Sequence, residues 1–247
     1  EGETDEEIQS NVEKQNDTTP VESKKAEENG TTIQSEAKEE QPLLQSKIYN
    51  GFLYTEDADY ISIDGDIDWN VKELVIPDKI NGKEVQEISQ GAFYYYFKDL
   101  NSVTIPDSVK YIYARAFAYS GLKTVKFGKN LISIGQDAFS NSQLTDITFP
   151  ENLKKIGSSA FSTNNIKTVK FNNNLEEIGS YAFYNNQITD LVFPSNLKNI
   201  KNNAFSLNPL KTIKLNTNLE SIGPSAFGDC TGVNNYKNLK RIIFPSD

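Results

Sequence analysis

The chain has 247 residues, with 34 Asp and Glu against 25 Lys and Arg, no His, no Met and one Cys, for a formal charge of −9. The lack of His excludes His-based triads and His zinc sites, and a single Cys supplies neither an intramolecular disulfide nor a thiolate cluster. No run of about 18 apolar residues offers a membrane-spanning helix, and no glycine-rich phosphate loop is present.

Residues 1–46 carry 13 Asp or Glu against 4 Lys, so this stretch holds the entire net charge. Ile8, Val12, Val21 and Ile33 stand isolated there among Glu, Gln, Asn, Thr and Ser. That is too little apolar surface to offset the entropy of ordering, and a disordered acidic linker is expected. Position 1 is not Met, so a leader or tag is expected to have been removed, by a processing peptidase or by deliberate trimming. The preferred reading is a secretory leader followed by a polar spacer.

From Lys47 the chain is neutral, with 21 acidic and 21 basic residues. Neither half is basic enough for a nucleic-acid footprint. Residues 47–87 read as an amino-terminal capping segment and first strand. Asp64, Asp66, Asp68 and Asn70 are spaced like part of a calcium loop, but Trp69 stands where the turn needs Gly and Val75 where a bidentate Glu is needed. An acidic turn is expected instead.

A repeat governs residues 88–247. Ala-Phe pairs end at Phe93, Phe117, Phe139, Phe161, Phe183, Phe205 and Phe227, spaced by 24 and then five times by 22 residues, and an Ile precedes each Phe by five positions. Between them lie apolar segments such as Leu144, Ile147 and Phe149, where Ile147 and Phe149 alternate with Asp146 and Thr148 as in a strand with one buried face. An Asn column at Asn130, Asn152, Asn174, Asn196 and Asn218 is expected to form a hydrogen-bonded ladder, satisfying peptide groups left orphaned at turns. A second small-polar column follows at Ser120, Ser142, Asn164, Asn186 and Asn208, with Cys230 in register. Gly135, Gly157, Gly179 and Gly223 after the Ile imply a left-handed or crowded corner. Tyr113 and Lys201 break that rule, at about 1 kcal/mol of strain each if φ is positive there.

The stretch LTDITFPEN fits the leucine-rich-repeat form L-x-x-L-x-L-x-x-N, and with IGSSAF it resembles the BspA-like class of bacterial surface leucine-rich repeats. The likeness runs from about Ile48 to Pro245. YNGFLY, YISIDG and ELVIPDKINGKEVQEI are similar to that family's amino-terminal segment, with Asn81 to Val85 as its hairpin-like insertion. The resemblance implies a mainly-β or α/β repeat solenoid: a right-handed superhelix of about seven 22-residue coils, with parallel strands on one face and short or helical turns on the other. It also implies a bacterial surface or secreted protein that recognises a protein or glycan, including extracellular host partners, with a lipid anchor upstream of residue 1 as one expected mode of display.

One such unit cannot close its own core, so coils must stack and the seven Phe should form an internal spine. Two outward columns are legible on the strand face. One runs Glu73, Ser102, Thr124, Asp146, Thr168, Asp190, Thr212 and Arg241, and the other Val75, Thr104, Lys126, Thr148, Lys170, Val192, Lys214 and Ile243. KTVKF-type and TDITF-type strands alternate, giving a 44-residue period that sets Lys126, Lys170 and Lys214 against Asp146 and Asp190. This is either a charge-balanced solvated sheet or a polar groove for a ligand. A second candidate is the aromatic cluster Tyr94, Tyr95, Tyr96, Phe97, Tyr111, Tyr113 and Tyr119, which serves as a cap or as a contact surface.

Residues 228–238 are expected to loop out before a final strand whose edge is open to self-association. No catalytic residue, cofactor or metal is expected. The function expected is a non-catalytic binding or adhesion module, with a ligand-free structural or self-associating envelope spacer as the alternative.

Overall fold

The computed structural model describes residues 46–66, 68–228 and 241–244. They form 19 short strands, with no helix among the described residues. The expected acidic linker and the loop with Cys230 lie outside the described residues, apart from Ser46 and Gly228.

An antiparallel meander opens the fold: β1 (Lys47–Tyr49), β2 (Phe52–Glu56) and β3 (Ile61–Asp66). Asp66 and Asp68 accept the backbone N–H groups of Asp68 and Asn70 at 2.8 and 3.0 Å, so this acidic stretch closes its own turn. β4 (Glu73–Val75) begins the first coil, and β5 (Lys79–Ile80) forms a hairpin with β6 (Lys83–Ile88). Asn81 and Gly82 turn that hairpin at φ of 51° and 86°, the doubly positive geometry that Asn-Gly accommodates.

Every later coil contributes two strands. The Ile column forms one of them, in β8 (Tyr111–Ile112), β10 (Ser133–Ile134), β12 (Lys155–Ile156), β14 (Glu177–Ile178), β16 (Asn199–Ile200) and β18 (Ser221–Ile222). These extend β1–β2–β3–β6 into one continuous sheet, Ile paired with Ile in parallel register. The LTDITF-type segments supply the other face, in β7 (Ser102–Thr104), β9 (Thr124–Lys126), β11 (Asp146–Thr148), β13 (Thr168–Lys170), β15 (Asp190–Val192), β17 (Thr212–Lys214) and β19 (Arg241–Ile243). The fold is thus a parallel-strand leucine-rich-repeat solenoid of about seven turns. The Ile run adds a second strand face to the one read from the sequence.

The six Phe from Phe93 to Phe205 are fully buried. Adjacent rings stack with centroids 5.0–5.4 Å apart and planes within 9°. Phe227 ends the row at 5.9 Å from Phe205 and is partly buried.

The turns carrying these rings have an unusual backbone. Arg115, Asp137, Ser159, Tyr181, Asn203 and Ser225 before each Ala-Phe, and Tyr95, Tyr119, Asn141, Thr163, Asn185 and Leu207 after each Phe, all have φ between 53° and 60°. The left-handed residues point three N–H groups per coil at the next coil: Asp137 to Ser158 O, Phe139 to Ala160 O and Asn141 to Ser162 O, at 2.8–2.9 Å. Two left-handed residues cost a coil roughly 2 kcal/mol, and three net hydrogen bonds return about 3 kcal/mol, so the stack tolerates the conformation and core burial decides stability.

The glycine corner is crowded and not left-handed. A Cβ on Gly157 would lie 2.6 Å from Gly135 C, and one on Gly179 2.6 Å from Gly157 C. Tyr113 and Lys201 have no positive φ, so the strain contemplated for them is absent. The expected Asn column does bond from coil to coil, but at the surface. Asn130, Asn152, Asn196 and Asn218 are exposed and Asn174 partly so, and Asn152, Asn174 and Asn218 bond backbone carbonyls of the preceding coil at 2.8–3.1 Å. The buried ladder is the other column. Asn186 Nδ2 donates to Phe161 O, Phe183 O and Tyr184 O, while its Oδ1 accepts Ile166 N–H at 3.0 Å.

Candidate functional site

The strand face was the first candidate. Its two outward columns occupy the expected registers, but the face is not one sheet. It divides into β4–β7–β9, β11–β13 and β15–β17–β19. Both breaks follow a KTVKF strand whose central residue, Val125 or Val169, is only partly buried. In β17 the larger Ile213 is buried, and that strand pairs on both sides. The 44-residue period is therefore written into the hydrogen bonding as well as into charge.

On this face Asp146 and Asp190 are already engaged. Thr168 Oγ1 donates to Asp146 and Thr189 Oγ1 to Asp190, and these bonds hold both carboxyls below the usual Asp range, aided by Thr145 and Thr212. Lys126, Lys170 and Lys214 are exposed, and among the described residues none is ion-paired. The face offers separated, exposed ammonium groups.

The aromatic cluster separates into three parts. Phe97 is 3% exposed and packs edge-on against Phe93 at 5.2 Å, so it is core. Tyr111 and Tyr113 lie on the Ile-column face, 6.4 Å apart. The Tyr113 hydroxyl donates to Glu87 Oε1 at 3.0 Å, and burial, reinforced by that carboxylate, pushes its pKa up to about 12.

Tyr94, Tyr95 and Tyr96 are exposed with Tyr119 and with Trp69, a residue that the sequence marks only as a departure from a calcium loop. Their rings touch in series. Trp69 stacks on Tyr96 at 5.4 Å, Tyr96 meets Tyr95 edge-on at 5.8 Å, and Tyr94 meets Tyr119 edge-on at 5.8 Å. Lys98 Nζ sits 4.4 Å over the Tyr95 ring. Beneath this shoulder run two clefts of about 300 Å³ each that share Lys98, Gly121 and Gln143. Tyr95, Tyr119 and Asn141 complete one cleft, and Lys72, Asp99, Asn101 and Lys123 the other.

Tyr95 and Tyr119 occupy left-handed positions at φ of 60° and 57°, where the next coils carry Asn141 and Thr163. Asn tolerates that conformation because its short side chain bonds locally, whereas a bulky aromatic residue does not. Thr163 and Leu207 hold the same left-handed position in later coils, and what sets Tyr95 and Tyr119 apart is a large aromatic side chain on a residue 46% exposed. Lys72 and Lys123 share one column, directly before Glu73 and Thr124, but Asn101 stands between them and Lys98 lies outside it. The available signal was the 24-residue first spacing, whose two extra residues set Tyr96 and Phe97 ahead of Lys98.

Among the described residues no group of three His, Cys, Asp or Glu gathers as a metal site, and no helix is long and apolar enough to cross a membrane. Stacked parallel coils on a Phe spine, with an aromatic shoulder and no clustered catalytic groups among the described residues, define a leucine-rich-repeat solenoid of bacterial type. The model for the BspA type leucine rich repeat region matches residues 86–210 and 132–245, in six copies, and the chain belongs to that family. Leucine-rich repeats of this kind are typically non-catalytic.

No curated protein is significantly similar to the chain in sequence. Among solved structures it is similar to a leucine-rich repeat protein of T. pallidum, at 27% identity and a TM-score of 0.63 over 70% of this chain and 85% of that one. It is also similar in fold to a leucine rich cell surface protein of Faecalibacterium prausnitzii, at 23% identity and a TM-score of 0.53, covering 68% of this chain and 54% of that one. A third likeness in fold is to the pneumococcal vaccine antigen PcpA, at 23% identity and a TM-score of 0.50, over 82% and 70%.

Proposed function

We propose that this chain is a non-catalytic, surface-displayed or secreted binding module that recognises a protein or glycan partner through the aromatic shoulder of its first coils. The observation that carries this reading is the pair Tyr95 and Tyr119. Both are exposed, both hold a left-handed backbone that suits Asn better, and both open onto a cleft. Large aromatic side chains left about half exposed beside a cleft point to a contact role. Tyr and Trp suit it because they offer large area at little entropic loss. Membership of a family of bacterial surface repeats, and the fold shared with a leucine rich cell surface protein of Faecalibacterium prausnitzii, support the extracellular setting.

The strand face is the weaker surface, since its carboxylates are engaged by Thr and its sheet is interrupted. The test is an array of glycans and matrix proteins probed with the full chain and with its Tyr95→Ser/Tyr119→Asn variant. The variant is expected to melt no lower than the parent and to lose capture. Undiminished capture, or loss of capture only in a Lys126/Lys170/Lys214→Gln variant, would move the surface to the strand face. A chain that captures nothing and self-associates with concentration would favour the structural spacer.

A further inference from the structure

Resting on the reading of the shoulder as a binding surface, we infer that its ligand is an acidic saccharide. The ring face of the sugar lies on Tyr95 and Tyr119, and its carboxylate or sulfate faces Lys72, Lys98 and Lys123. The two clefts supply the three things such a ligand needs. Exposed tyrosine side chains match the C–H face of a pyranose, and Lys98 Nζ, 4.4 Å over the Tyr95 ring, sets an ammonium beside them. The side-chain amides of Asn101, Asn141 and Gln143 line the clefts, and among the described residues none of the three is in a hydrogen bond, so they are available to sugar hydroxyls.

Three ammonium groups against the single carboxylate of Asp99 give the second cleft a positive balance, and among the described residues none of the three lysines is ion-paired. Elsewhere lysines pair across coils, as Lys129 does with Asp107 at 2.8 Å and Lys155 with Glu177 at 3.0 Å. The shared lining of Lys98, Gly121 and Gln143 makes the two spaces of about 300 Å³ neighbours, which suits consecutive sugar units better than one compact ligand.

A peptide is the less suited occupant. No aliphatic side chain lines either cleft, so the apolar anchors that give peptides most of their affinity have no seat. Nucleic acid calls for a basic stripe, which a neutral solenoid with three local lysines lacks.

The test titrates the full chain by calorimetry with a hyaluronan oligosaccharide (carboxylate only), a heparin oligosaccharide (sulfate-rich), neutral chitohexaose and a Glu-rich peptide. Binding is expected for at least one acidic saccharide, with the two arms telling carboxylate from sulfate, and the neutral sugar at least about tenfold weaker. Lys98→Gln/Lys123→Gln and Tyr119→Asn should each weaken binding by about tenfold or more, whereas the equally charge-depleted Lys170→Gln/Lys214→Gln should stay within about twofold. All these side chains are exposed, so melting should be unchanged.

The inference is overturned if neither acidic saccharide binds, if chitohexaose or the peptide binds as tightly, or if the strand-face variant loses as much. Should the array capture a protein in a Tyr119-dependent way while every saccharide fails, the acidic-saccharide inference falls and the binding surface stands. Tyr-independent capture removes both.

Discussion

Phe161 sits at the middle of the spine, and replacing it with Ala tests whether the stack is one continuous core. The side chain is fully buried, with stacked neighbours Phe139 and Phe183 at 5.2 and 5.4 Å and Phe149 edge-on at 5.5 Å. Truncating a buried Phe costs about 3–5 kcal/mol, as lost transfer energy plus a cavity. Stacked backbones held by three bonds per coil cannot collapse into the gap, and each ring contact adds about 0.5–1.5 kcal/mol, so the value should fall at the upper end, about 5 kcal/mol. Phe227→Ala is the internal control. That ring is partly buried, with its nearest neighbour at 5.9 Å, and its loss should cost only about 1–2 kcal/mol. Urea unfolding followed by circular dichroism reads the difference as a shift in midpoint. A break in cooperativity at the cavity should also lower the slope for Phe161→Ala, because coils contact only their neighbours. Equal shifts for the two variants would refute a spine whose stability is concentrated at its centre.

Other consequences are checked with the same melts. Asn186→Ala strands the Ile166 N–H and takes one of two donors from each of Phe161 O, Phe183 O and Tyr184 O, and should cost about 1–3 kcal/mol, whereas Asn186→Ser should recover part of this, since Ser120 and Ser142 each serve Phe117 O in the same column. Gly157→Ala places a Cβ 2.6 Å from backbone and should fail to fold or lose more than about 3 kcal/mol, while Gly82→Ala meets no atom within 4 Å and should lose only about 1 kcal/mol from its φ of 86°. Glu56, bonded to Lys47 and Lys83 at 2.6 and 2.9 Å, has its pKa lowered from 4.5 to about 2. Because the folded value is depressed, the pair's contribution is present above pH 4.5 and lost as pH falls towards 2. Between those limits the parent should lose its advantage over Glu56→Gln, and a constant gap through acid titration would contradict the pairing. Tyr119→Asn should leave the melting temperature unchanged or raise it, through relief of a left-handed Tyr at φ 57°. A drop of several degrees would show that the ring is structural.

How much of this was legible in the sequence depends on whether one residue type or the whole stack sets a feature. The Phe spine and the Ile column are residue-determined, since each burial site recurs at a fixed interval and only a large apolar side chain fills it. The buried Asn ladder was half legible. Both polar columns stand out, but only the one three residues after each Phe faces inward, where Asn186 reaches three carbonyls at once. The left-handed turns left no trace, because Arg115, Asp137, Ser159 and Tyr181 share no chemistry. Their conformation is imposed by hydrogen bonds to the next coil and not by propensity. The divided strand face was similarly hidden, because KTVKF precedes each break while the near-identical KTIKL strand pairs on both sides.

The candidate site shows why a solenoid separates stability from recognition. Tyr95 and Tyr119 share one column and Lys72 and Lys123 another, but each column runs on in other residue types and Lys98 belongs to neither, so the repeat pattern alone does not announce the site. The backbone beneath is fixed independently: Gly121 N–H donates to Phe97 O at 3.1 Å, Tyr119 N–H to Ser140 O at 2.9 Å, and Lys123 N–H to Asn101 O at 2.9 Å. Those bonds use main-chain atoms, and any residue tolerating the local φ preserves them. The side chains above them are then free to change without touching the Phe row. At Tyr95 and Tyr119 that freedom has been used against local backbone preference. In a stack stabilised by neighbour contacts, the strain of two residues is absorbed by the coils on either side, as long as the interface bonds hold. Recognition can therefore be written at the edge of the coil in residues the fold itself would not choose.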